Sequence, residues 1–354
     1  MYLNPYNQGL FEGLLGDPET ENLFSSEKML GSCIQFEIAL TNALYETELL
    51  SDAAQDHINQ KLKTFKPNFA KLMECVAVDG MAVPEFIRQL RNTIDPVHQD
   101  VFHFGSTSQD LIDSAFVLAL IDYSNILNCR INSLLKTLDQ LRDQFGSTTL
   151  QGRTRYQSAK LIKCEDRISS WSEILHHFPT ELKSKFENCR TVQFGGPVGN
   201  RSEWGDKANT ICLLIAQQLG LKSAPVSWQT NRIPIVGLTN CLIQFAGAIG
   251  KVGIDLLLMA QMQEVVFNQG GSSSAMPHKS NPIGAETIVA ISNYLSSLSS
   301  GINHCLIHEQ ERSGSMWTLE WMIVPQVLSL SAKSCSLLDH TLKDIRQLGT
   351  AEIK

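Results

Sequence analysis

The sequence predicts an all-α protein organised around a bundle of long helices, and three observations lead there. Apolar residues recur at helical spacing almost throughout the chain, whereas strand-like alternation is hard to find. Two periodic segments, 110–145 and 234–267, would each span roughly 50 Å at 1.5 Å per residue, well beyond an ordinary globular helix. The second is apolar nearly all round, so it has no solvent face to offer.

In chain order, an amphipathic segment at 28–48, with Ser25 or Ser26 as its cap, is followed by shorter ones at 52–64, 66–79 and 84–94. Ile94-Asp95-Pro96 breaks the pattern and closes a small helical first domain, 1–97. Beyond it come helical segments at 110–145, 157–188, 204–219, 234–267, 283–306 and 318–345. Within 234–267, Gln244, Lys251 and Asp255 argue against a lipid environment, and Ala246, Gly247, Ala248 and Gly250 permit close helix approach. That segment is expected at the centre of a multi-subunit helical core.

With 354 residues, 43% hydrophobic and 18% charged, the chain can bury a large core over two or three domains. A formal net charge of −7 argues against a nucleic-acid surface, so the expected ligand is small. The nine cysteines are scattered and never spaced Cys-x-x-Cys, and the first residues lack a basic start and apolar run. The expectation is a reduced, cytoplasmic protein with no nucleic-acid or membrane partner. His304-x-x-x-His308 is the one ligand-like spacing, but no third ligand accompanies it. A chance pair is the simpler reading, and neither a metal nor a cofactor is expected.

Three blocks carry chemistry. Residues 268–283 read Asn-Gln-Gly-Gly-Ser-Ser-Ser-Ala-Met-Pro-His-Lys-Ser-Asn-Pro-Ile. A Gly-Gly hinge frees three hydroxyls, and Lys279 and Asn281 stand before a proline able to open a helix. A polar linker would explain the Gly/Ser run but not the fixed cation and amide. Residues 103–115, His-Phe-Gly-Ser-Thr-Ser-Gln-Asp-Leu-Ile-Asp-Ser-Ala, enter the long helix near Asp110. Its hydroxyls, Ser106, Thr107 and Ser108, serve as caps or as a carboxylate site at a helix start. The third block is Gly152-Arg153-Thr154-Arg155-Tyr156-Gln157.

The 268–283 block resembles the signature of the fumarase/aspartase superfamily, Gly-Ser-Ser-x-Met-Pro-x-Lys-x-Asn-Pro, with Ser272 in a glycine position. The His103 block is similar to the His-x-Gly-x-Thr-Ser-x-Asp of adenylosuccinate lyases and carboxymuconate cycloisomerases. The third block resembles Gly-Arg-Thr-His-x-Gln, with Arg155 in the histidine position. Three further stretches look like those of the cycloisomerases: Phe36-Glu37-Ile38-Ala39-Leu40, Trp228-Gln229-Thr230-Asn231-Arg232, and His308 to Arg312 continuing through Trp317 and Trp321. Gln193-Phe-Gly-Gly-Pro-Val-Gly-Asn200 resembles a glycine turn of the same family.

The resemblance implies the superfamily's all-α fold, a homotetramer with shared sites, and a small polycarboxylate substrate. It makes 98–325 the central bundle domain and 326–354 the remnant of a truncated third domain. It assigns Ser273, Lys279 and His103 as catalytic, and Ser106, Thr107, Ser108, Thr154, Arg155, Arg232, Asn281 and Arg312 as substrate-binding. The implied reaction is the lactonisation of 3-carboxy-cis,cis-muconate in protocatechuate degradation, the β-ketoadipate pathway. Arg155 counts against the first rival, an amine-releasing lyase such as adenylosuccinate lyase, because that histidine is the usual candidate acid. Intact Ser273, Lys279, Asn281 and Thr154 count against the second, a crystallin-like scaffold without catalysis.

Overall fold

The computed structural model describes residues 9–272, 274–276 and 279–350. The helices are α1 (Glu12–Leu15), α2 (Pro18–Leu23), α3 (Ser26–Glu46), α4 (Asp52–Thr64), α5 (Phe69–Asp79), α6 (Val83–Arg91) and α7 (Ser108–Phe145). A hairpin of β1 (Thr149–Thr154) and β2 (Gln157–Lys163) comes next, then α8 (Cys164–His176), α9 (Phe178–Cys189), α10 (Ala208–Leu219) and α11 (Ile233–Gln261). The chain ends through β3 (Val265–Phe267), α12 (Ile283–His304), α13 (Gly314–Lys343) and β4 (Ile345–Leu348), with β3 and β4 antiparallel.

Capping explains most boundaries. Ser25 Oγ accepts the Lys28 N–H (3.3 Å), Asn68 Oδ1 that of Lys71 (3.1 Å) and Ser313 Oγ that of Met316 (3.1 Å). Gly80 and Gly220 end α5 and α10 in the left-handed conformation.

The bundle is α7, α11, α12 and α13, with α3 lying against α7 and α10. Tyr123 Oη donates to Leu328 O (2.7 Å) and Thr137 Oγ1 to Asp339 Oδ1 (2.5 Å), tying α7 to α13 along its length. Among the expected small residues of α11, Gly250 does the predicted work: a Cβ there would stand 2.3 Å from Ser292 Oγ on α12. By length and composition α11 could cross a membrane, yet 61% of its most apolar window is buried inside the bundle.

Two expectations need correction. The segment 157–188 is not one helix, since its first seven residues form β2 and a junction at His177 separates α8 from α9. The boundary after 325 falls inside α13, whose register continues through Pro325, so residues 326–343 are half of a bundle helix. Val327, Leu328, Leu330, Ala332, Cys335 and Leu338 in that half are all buried.

Candidate active site

At the amino-terminal end of α7 the chain makes a cluster. Thr107 is the N-cap, and its N–H donates to Asp110 Oδ2 (3.1 Å). Asp110 is fully buried and also accepts from Gly195 N–H (2.8 Å), Gly196 N–H (3.0 Å), Gln193 Nε2 (3.1 Å) and Ser106 Oγ (3.4 Å). Burial pushes its carboxyl up to about 6, against the pull of those donors. The glycine turn is thereby fastened to the hydroxyl block.

Arg312 Nη2 donates to Thr107 Oγ1 (3.0 Å) and to Pro197 O (3.1 Å), joining the segment before α13 to the same place. Thr107, Ser108 and Arg312 thus stand together at the N-terminus of a long helix, where free N–H groups and the helix dipole favour an anion. His103, just upstream, holds its Nδ1 2.5 Å from Glu37 Oε1 of α3.

Arg232 is not a substrate contact. Its side chain is fully buried; Nη1 and Nη2 bond Asp113 (2.7 and 3.2 Å), while Nε and Nη2 bond Glu320 (2.9 and 2.5 Å). Its guanidinium also lies over the Trp228 ring at 4.9 Å. With the fork occupied by two protein carboxylates, Arg232 pins α11 to α7 and α13. Trp317, buried beside it, donates to Asp113 Oδ1 (3.3 Å), consistent with a packing role for the tryptophans.

The 152–157 block and the 268–283 block lie elsewhere. Thr154 ends β1, and Arg155 and Tyr156 form the two-residue turn to Gln157, both with positive φ (50° and 64°). Such a turn normally uses Asn and Gly, so an Arg-Tyr pair there is strained backbone. All three residues are exposed.

The 268–283 loop starts from β3 and is closed by a two-bond bridge, Gly271 N–H to Asn281 O (2.8 Å) and Asn281 N–H to Gly271 O (2.9 Å). A Cβ on Gly271 would sit 2.4 Å from Ile283, so only glycine allows this closure. Lys279 is exposed, its N–H donating to Met276 O (3.0 Å). Ser273, the expected proton donor, lies outside the described residues.

Hairpin and loop base share one end of the bundle. Thr350 N–H donates to Thr149 O (2.9 Å), Gly349 N–H to Glu264 O (2.7 Å) and Asn268 N–H to Asp344 O (2.8 Å). Thr149 follows the last turn of α7, whereas Thr107 precedes the first. The helix has 38 residues, hence about 57 Å at 1.5 Å each. One chain therefore holds His103, Thr107, Ser108 and Arg312 at one end and Thr154, Arg155, Lys279 and Asn281 at the other.

Three participants carried no sequence assignment: Glu37, Asp110 and the Gly195-Gly196 backbone. Glu37 had a legible signal, a charge one turn after Cys33 on the apolar face of α3. As for His304 and His308, α12 ends at His304, so the two do not share a helix face. Among the described residues no group of three or more His, Cys, Asp or Glu side chains could hold a metal.

The lyase family profile matches residues 17–294. The 3-carboxy-cis,cis-muconate cycloisomerase of Acinetobacter baylyi is 26% identical over 343 residues, 94% of this chain and 75% of that protein. Its namesake from Pseudomonas putida is 28% identical over 329 residues, 91% of this chain and 78% of the relative. The crystal structure of 3-carboxy-cis,cis-muconate lactonizing enzyme from Pseudomonas putida matches with a TM-score of 0.88 at 26% identity, covering 96% of this chain and 77% of that one.

Proposed function

The chain belongs to the lyase family, within the fumarase/aspartase superfamily, and from that premise we propose that it is an intramolecular lyase closing 3-carboxy-cis,cis-muconate to 4-carboxymuconolactone. The observation that carries the reading is Arg155, a permanent cation on a strained, exposed turn where an amine-releasing lyase needs an acid. The relatives named as cycloisomerases support the same substrate class.

The chemistry suits the residues. A substrate carboxylate with a pKa of about 4 is already ionised at neutral pH, so its addition across the conjugated double bond needs no base. Arg155, with a planar fork, holds that nucleophile in line. Charge then accumulates on a carboxylate next to the carbon that takes the proton. Lys279 and Asn281 stabilise it, with Thr107 and Ser108 on a further carboxylate, and Arg312 orients Thr107. Ser273 delivers the proton to carbon, and in reverse removes it.

Such a site needs more than one copy of the chain, because its parts lie at opposite ends of a helix about 57 Å long. We propose a homotetramer in which each site takes the Thr107 cluster from one subunit and the hairpin and loop from others. Exposed Ile254 (42%) and Leu258 (37%) on α11, with Met262 (51%) just past its end, give that assembly an apolar surface to bury.

The test is the ultraviolet absorbance of 3-carboxy-cis,cis-muconate mixed with the protein, since lactonisation breaks the conjugated diene. A rapid fall that disappears in Ser273→Ala is the expected result. An unchanged spectrum, beside a cycloisomerase that does act, overturns the substrate and makes adenylosuccinate the next one tried.

A further inference from the structure

Glu37 is an expensive residue. It sits on α3 among Cys33, Phe36 and Leu40 with none of its surface exposed, and among the described residues no lysine or arginine lies within ion-pairing distance. Oε1 meets His103 Nδ1 at 2.5 Å; Oε2 is sealed from solvent and has no hydrogen-bond partner among the described residues. A buried carboxylate with one oxygen unpaired costs stability, and an apolar residue would pack there for less.

His103 adds a second cost. Its φ is 60°, the left-handed region that a non-glycine residue avoids, and the conformation places its ring on Glu37. The imidazole is mostly buried, at 13% exposure, and among the described residues its ring makes its one hydrogen bond at Nδ1, to Glu37, and none at Nε2. Two independent costs converge on one contact that leaves one ring nitrogen free. Packing alone explains neither.

We propose that Glu37 is a positioning residue of the site: its carboxylate accepts the Nδ1–H of His103, so that Nε2 is the nitrogen presented to the ligand and a negative charge stands behind the ring. The tautomer follows from the bond, since an ionised carboxylate only accepts and Nδ1 must donate. Glu37 also acts on Cys33, whose thiol burial and then the Glu37 charge push up to about 12, so that this neighbour stays neutral. Other charged groups around the segment are Arg91, whose Nη2 donates to Phe102 O (3.4 Å), Glu203 beside Gly105, and Arg312 on Thr107. The inference uses His103 as a site residue and so rests on the functional reading above.

Two measurements separate this inference from that reading. Histidine 15N NMR of the ligand-free protein, with His103→Gln to assign the signal, reads the tautomer without any substrate. Protonated Nδ1 with bare Nε2 is the expected neutral form, and a proton on Nε2 instead overturns the proposal. The second is Glu37→Gln, which keeps an acceptor for Nδ1–H and removes the charge. kcat on 3-carboxy-cis,cis-muconate should fall by at least about 100-fold with KM changed far less. Wild-type kcat overturns the proposal. Should Glu37→Gln fail to fold, the NMR of the wild-type protein still decides.

Discussion

Arg153 Nη1 lies 2.7 Å from both carboxylate oxygens of Glu264, and this ion pair joins the hairpin carrying Thr154 and Arg155 to the strand that launches the Lys279 loop. Glu264 is 2% exposed, so the contact is shielded from solvent and fixes two blocks that are about 110 residues apart in sequence as one unit. The consequence is that this pair fixes the hairpin that carries Arg155 relative to the strand ahead of the Lys279 loop. Glu264→Gln should lower turnover about 10- to 100-fold through displaced geometry while the fold persists. Steady-state kinetics at wild-type rates would contradict this coupling.

Arg155→His tests the nucleophile-holding role. The fork is lost and a titratable imidazole takes its place, so lactonisation should weaken, with no amine-releasing activity gained on adenylosuccinate. Unchanged lactonisation would mean that Arg155 does not hold the carboxylate.

Arg232 is the structural counterpart of those site cations. Arg232→Ala leaves Asp113 and Glu320 facing each other in a buried space without their counter-charge, and burial already pushes the Glu320 carboxyl up. The expected loss of unfolding free energy is about 3–5 kcal/mol, read from the urea midpoint. A loss below about 1 kcal/mol would show that the network relaxes freely.

Asp110 makes a prediction about pH. Its carboxyl is raised from 3.8 to about 6, so the folded protein holds that proton more tightly than the unfolded chain does. Stability from this group is therefore greatest in acid and is lost as pH rises from about 4 to about 6. Asp110→Asn cannot ionise, so the difference in stability between it and the wild-type protein should change across that window and be flat above it. A constant difference from pH 4 to pH 7 would contradict the burial argument.

Helical periodicity made the bundle legible: α7 was expected at 110–145 and spans Ser108–Phe145, and α12, expected at 283–306, spans Ile283–His304. The hairpin was not legible, for two physical reasons. Six of the seven residues of β2 are exposed, so no buried face imposes alternation, and its turn is Arg155-Tyr156 rather than a glycine pair. Arg232 was misread because its partners, Asp113 and Glu320, stand 119 and 88 residues away, and spacing says nothing of such burial. Thr107 and Arg312, both expected at the site, do meet, 205 residues apart. What no local pattern could carry is that the site blocks fall at opposite ends of the bundle.

The measurement that tests that division most directly mixes two inactive variants, Arg312→Ala at one end of the bundle and Lys279→Ala at the other, by co-expression. In a site drawn from different subunits, some hybrid sites carry neither lesion, and activity on the substrate that the wild-type protein turns over should return to about a quarter of the wild-type level. No recovery, with both variants oligomeric and hybrids demonstrated, would mean that each site lies within one chain and would contradict the account.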